Sequence, residues 1–313
     1  MPSQAEMHRE LRSATASEER RDIALQLLAR TNSRLYLDEC LRALNAEPVR
    51  ARLDESHRGI MREKCLGYFA ESKRDKGGLL REGLTRLLVY IEHPDDADIY
   101  KLGVEAYHLQ PVDDVAQNLR AVALAGLAPV DPPLACLYAA RFLGESHTSV
   151  FNCEPAMTAI DVLVASNQRL PIYQFLLRGG EGMARSQRGE LTGKALESLG
   201  ADFPLHLYED LIAQYQALDQ PTATMGIINF IIEARAEALY DRLEDVILST
   251  RHVDLRRYGL VMMAAARADE LGERLLRMAN LARKDDLPLF IDAVEICHLP
   301  ERDEMLTALR RRL

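Results

Sequence analysis

The residue types that carry most protein chemistry are scattered through this chain. It holds eight histidines and five cysteines in 313 residues. His93, His108, His147, His206, His252 and His298 fall into neither H-E-x-x-H nor another metal-ligand spacing. Cys40, Cys65, Cys136, Cys153 and Cys297 include no C-x-x-C pair. Four of the five lie in or beside apolar helix-like runs, as small buried hydrophobes in a reducing compartment do. Cys297 and His298 are adjacent, and adjacent helical residues point in different directions, which argues against a shared catalytic pair. Asp95, Asp96 and Asp98 lack the alternating ligand ladder and terminal Glu of a calcium loop, so they read as helix caps. Gly179-Gly180-Glu181-Gly182 lacks both the G-K-[ST] ending and the preceding strand of a phosphate loop, and reads as a linker between helices. No G-x-S-x-G occurs, and no dinucleotide fingerprint follows a strand. These residues predict no enzyme, no cofactor and no metal.

One cluster could bind rather than react. Arg62, Lys64, Lys73, Arg74, Lys76, Arg81 and Arg86 surround Lys76-Gly77-Gly78, the best candidate for a hinge. As a functional feature they would form a basic surface for an anion or a partner. Interleaved with Glu63, Glu71, Asp75 and Glu82, they also read as an ordinary solvated face. The net charge of −9 argues against nucleic acid as the main partner, because phosphate neutralisation needs a basic domain or stripe.

The elements that would position these residues are legible from a recurrence. Tyr36, Tyr68, Tyr100, Tyr138, Tyr173, Tyr208 and Tyr240 follow one another at steps of 32, 32, 38, 35, 35 and 32 residues. In six of the seven copies Leu or Ile precedes the Tyr. Leu211, Leu243, Leu275 and Leu306 keep steps of 32, 32 and 31, and Gly272 stands where the penultimate copy would carry its Tyr. Strand-like alternation is nearly absent, and short linkers such as Asp131-Pro132 cap and start helices. The spacing predicts an all-α fold, a right-handed superhelix (α-solenoid) of about eight or nine antiparallel helical hairpins. It would span 17–313 as a single body, behind a polar, frayed segment 1–16. Each Tyr then serves either as a packing wedge between hairpins or as a surface for stacking bases or peptides. The junctional position after Leu or Ile favours the wedge.

The word Leu88-Val-Tyr-Ile-Glu-His93-Pro94-Asp95, followed by a second apolar helix, resembles a HEAT-type repeat. The step of 32 to 35 and the Leu-Tyr-x-x-Leu word are similar to the tetratricopeptide and pentatricopeptide families. The resemblance covers about residues 18–313 and implies architecture alone. With no catalytic constellation, the expected function is a non-enzymatic scaffold or adaptor. It would hold a protein or peptide partner, basic or amphipathic, on a concave face. The alternative is a binder of single-stranded or damaged DNA or RNA. Met1-Pro-Ser-Gln-Ala-Glu-Met-His8 has no signal-peptide character, and the apolar run Ala121–Val130 is far shorter than the roughly 20 residues a membrane span needs. A cytoplasmic protein without membrane contact is expected.

Overall fold

The computed structural model describes residues 2–109, 114–145, 147–149, 151–179 and 185–313, with the backbone alone at 185–188. Among the described residues are 19 α-helices and no β-strand; the one β-type pairing is an isolated bridge between Leu109 and Asp114. No described helix is long and apolar enough to cross a membrane. The chain divides into two compact units, Met1–Gln168 and Arg169–Leu313.

The first unit contains α1 (Gln4–Ser13), α2 (Ser17–Arg30), α3 (Arg34–Asn45), α4 (Glu47–Arg50) and α5 (Glu55–Ala70). It continues with α6 (Leu79–Ile91), α7 (Ala97–Val104), α8 (Gln117–Val130), α9 (Pro132–Gly144) and α10 (Ala156–Ala165). The expected frayed start is instead α1. Ser3 and Glu6 close a capping box around its first turn, and Met7 and Leu11, four residues apart on one face, are buried. The side chain of Gln4 also donates to the Arg30 carbonyl at 2.9 Å. Within this unit α6 packs on α8 and α8 on α10, while α5 packs on α7.

The chain turns at 76–78, where a hinge is expected. Gly77 and Gly78 take left-handed φ angles of 89° and 75°, which a side chain would strain. The Asp75 carboxylate is fully buried and accepts from the backbone N–H groups of Leu80 and Arg81, both at 3.0 Å, which caps α6 from outside the helix. Asp131 caps α9 as its sequence predicts, accepting from the Leu134 N–H, with Pro132 following. Helix α8 starts at Gln117, and Gly180 to Gly182 of the expected linker lie outside the described residues.

The second unit contains α11 (Leu170–Leu177), α12 (Arg185–Glu197), α13 (Leu205–Gln216), α14 (Pro221–Glu233) and α15 (Tyr240–Ser249). Then come α16 (Val253–Ala265), α17 (Asp269–Leu281), α18 (Leu287–Ile296) and α19 (Arg302–Arg310). α17 shows why these segments are helical. Asp269 and Glu270 occupy the first turn, where the helix dipole favours acids, and Leu271, Leu275, Leu276 and Met278 form one buried stripe. Every second helix packs on the next: α12 on α14, α14 on α16 and α16 on α18. Glycine sets the closeness of the first contact. A Cβ on Gly226 would collide with the backbone of Gly193, and one on Gly193 with the Thr222 carbonyl. Gly193, Gly226 and Gly259 stand 33 residues apart, a second periodic column beside the tyrosines.

Hydrogen bonds between elements of this unit span about one step of the tyrosine recurrence. Asn229 donates to Glu197, 32 residues away, Thr250 to Asp219, 31 away, and Gln216 to Ser249, 33 away. Tyr68, Tyr100, Tyr208 and Tyr240 are buried, and Tyr36, Tyr138 and Tyr173 are half-buried. The Tyr208 ring stacks on Phe230 with centroids 3.7 Å apart, and its hydroxyl reaches the Leu196 carbonyl at 3.4 Å. It therefore sits between α12 and α14 as a wedge.

Candidate partner-binding surface

The seven basic residues singled out by the sequence do not assemble a common anion site. Arg62 donates to Asp98 at 2.5 Å and to the buried Asp96 at 2.8 Å, where Arg58 also makes a two-point contact. These hydrogen bonds hold the Asp98 carboxyl below its ordinary range and the Arg62 guanidinium above its own. Asp96 stands at the N-cap position of α7 without a capping side-chain hydrogen bond, and with Asp98 of the first turn it anchors arginines of α5. Arg81 is buried against Asp75, and Arg86 pairs with Glu82 at 2.9 Å. Arg74 pairs with Glu71 at 2.6 Å, and Lys64 donates to the Thr31 carbonyl at 2.9 Å. Lys64 and Arg74 share a cleft of about 250 Å³, but Glu63 and Glu71 line it too. Lys73 and Lys76 are exposed. The interleaved acids noted in the sequence therefore pair with three of the seven, Arg74, Arg81 and Arg86.

A buried polar centre lies elsewhere in the first unit. Arg120 and Asp114 form an ion pair with both side chains fully buried. Arg120 also donates to the carbonyls of Ala106 and His147, each at 3.0 Å, and lies 4.2 Å from the Tyr107 ring centroid. Asp114 accepts from the His108 and Ala116 N–H groups. Burial, with the Glu145 hydrogen bond added, pushes the Tyr107 phenol up to about 12. The centre ties Ala106 and His147 to α8, with the Arg120 and Asp114 side chains fully buried.

Two of the five cysteines are poor nucleophiles. Burial pushes the Cys40 and Cys65 thiols up to about 12, which leaves almost no thiolate at neutral pH. Cys153 and Cys297 are buried, and Cys136 is half-exposed. Brief alkylation of the native protein should label Cys136 alone, while denaturation exposes all five; peptide mass mapping reads this directly. Labelling of Cys40 or Cys65 at the rate of Cys136 would contradict the burial. Among the described residues no group of three His, Cys, Asp or Glu side chains could hold a metal ion.

A repeated open surface belongs to the second unit. Leu218, Leu248 and Leu281 are exposed by 57%, 48% and 82%, at or just past the C-terminal ends of α13, α15 and α17. Two clefts open beside them. One, of about 380 Å³, lies between the ends of α13 and α15, with Val246, Ser249 and Thr250 facing Gln216 and Asp219. The other, of about 390 Å³, lies between the ends of α15 and α17 and is lined by Leu248, Leu281, Met278 and Phe290 among others. The second thus repeats the first one hairpin further along. Their rims hold Arg251, Arg256, Arg277 and Arg283. The sequence pattern conceals this surface because the exposed leucines look like further core residues of helices already rich in leucine.

Comparison of the chain with family models, curated proteins and solved structures finds no match.

Proposed function

We propose that the chain is a non-enzymatic helical-repeat adaptor of a reducing, cytoplasmic environment, built as a right-handed α-solenoid of antiparallel hairpins. It binds a segment of a protein partner. The observation that carries this reading is the pair of clefts in the second unit, repeated at corresponding helix ends with exposed leucines beside them. Repeat arrays present such recurring surfaces because every hairpin offers its neighbour the same junction. Large apolar side chains left in water at regular intervals fit a surface that a partner covers. The burial of Tyr68, Tyr100, Tyr208 and Tyr240 favours this reading over nucleic-acid binding, which would use open rings for stacking.

The test compares the chain with a Leu248→Ser, Leu281→Ser variant as baits in extracts of the native cell. Both side chains are exposed, so the variant should keep its melting temperature. A protein partner retained by the parent and lost from the variant is expected. Nucleic acid recovered without any protein, or partners equally retained by both baits, would count against the reading.

A further inference from the structure

We infer that the two clefts of the second unit take an extended, acidic segment carrying apolar residues three positions apart. This rests on the adaptor reading and adds the chemistry of the partner. The net charge of −9 would by itself favour a basic partner, but the local balance runs the other way. Four arginines line the clefts against three carboxylates, Asp219, Glu244 and Asp286.

Those carboxylates are already engaged from within the unit. Asp219 accepts from the Thr250 hydroxyl at 3.0 Å, Glu244 from Arg274 at 2.7 Å, and Asp286 from Arg256 at 2.6 Å. The cations at the rim are less committed. The Arg251 side chain is 91% exposed and comes no nearer than 4.0 Å to Asp219. Arg283 is exposed, and no ion pair engages it among the described residues. Arg277 meets Glu244 at 3.3 Å with 61% of its side chain in water. A ligand that completes these groups must bring negative charge.

The spacing follows from the hairpins. Packed helices lie about 8–10 Å apart, and the clefts are separated by the end of one helix, α15. In an extended chain of the polyproline II type, with three residues per turn and a rise of about 3.1 Å per residue, positions i and i+3 share one face and reach neighbouring clefts. Phe290 and Met278 give the cleft beside Leu281 an apolar floor for one of these side chains. The residues between them pass Arg251 and Arg283 and would be Asp or Glu.

Fluorescence polarisation on the full chain tests this with three synthetic peptides, each with leucine at every third position. The intervening residues are acidic in one, serine in the second and lysine in the third. The acidic peptide should bind best and weaken steeply with salt. A double charge reversal, Arg251→Glu with Arg283→Glu, should weaken it about tenfold and improve the lysine peptide. Both residues are exposed at the surface, and an unchanged thermal melt confirms that the variant folds. Preference for the lysine peptide, lost in Leu281→Ser, would overturn the acidic assignment while leaving the adaptor reading intact. Equal binding of all three, or of none, would also overturn it; the adaptor reading is then decided by the bait comparison above.

Discussion

Truncating Tyr208 to alanine is expected to cost about 3–5 kcal/mol, the range for deleting a large buried aromatic. The ring is fully buried, stacks on Phe230 of α14 and meets Phe203 edge-on at 6.5 Å. Alanine would leave a cavity between α12 and α14, whose approach is fixed by the Gly193–Gly226 contact and so cannot tighten further. Tyr208→Phe should be nearly silent, because the hydroxyl makes only one long bond, 3.4 Å to the Leu196 carbonyl. Exchange of amide hydrogens should accelerate in α12, α13 and α14 and stay slow in α18. That confinement is the mark of an array held by nearest-neighbour interfaces. A Tyr208→Ala protein with the parent's melting temperature and exchange pattern would show that the tyrosine is not a wedge.

The tyrosine column was readable because each copy combines a bulky apolar body with a junctional position, and both recur at nearly one step. The glycine column Gly193, Gly226 and Gly259 obeys an equally regular step but passes unnoticed, since a missing side chain breaks no hydrophobic pattern. Only the close backbone approach of α12 and α14 gives it meaning. The helical start was hidden because Met7 and Leu11 are just two apolar residues in a polar stretch. Their burial depends on tertiary contact with α2, which local pattern does not report.

The acids at 95–98 and the bases at 58–62 were each legible as charge, but not as partners, since the pairs join residues 34 to 38 apart. The candidate clefts were the least legible feature. They are made where helix ends from successive hairpins meet, and the same leucine type serves as core at Leu243 and as exposed surface at Leu248. Helix phase separates the two, and phase drifts wherever a linker changes length.

The buried pair in the first unit should respond to mutation at least as strongly. Replacing Arg120 by Met leaves the Asp114 carboxylate inside the fold without its cation, a loss of about 3–5 kcal/mol. The substitution also removes the donors to the Ala106 and His147 carbonyls and the cation over the Tyr107 ring, an attraction of about 2 kcal/mol when desolvated. Asp114→Ala should be costly for the converse reason, since it strands a buried guanidinium and frees the His108 and Ala116 N–H groups. The double variant should cost distinctly less than the sum of the singles, because neither charge is then left alone. Urea unfolding of all four proteins closes the cycle. Since Arg120 reaches carbonyls on both sides of α8, the singles should also become sensitive to protease at residues 105–109 and 147–149 before they unfold globally. Single variants that each cost under about 1 kcal/mol and add without coupling would mean that water screens the pair, as it does an exposed ion pair.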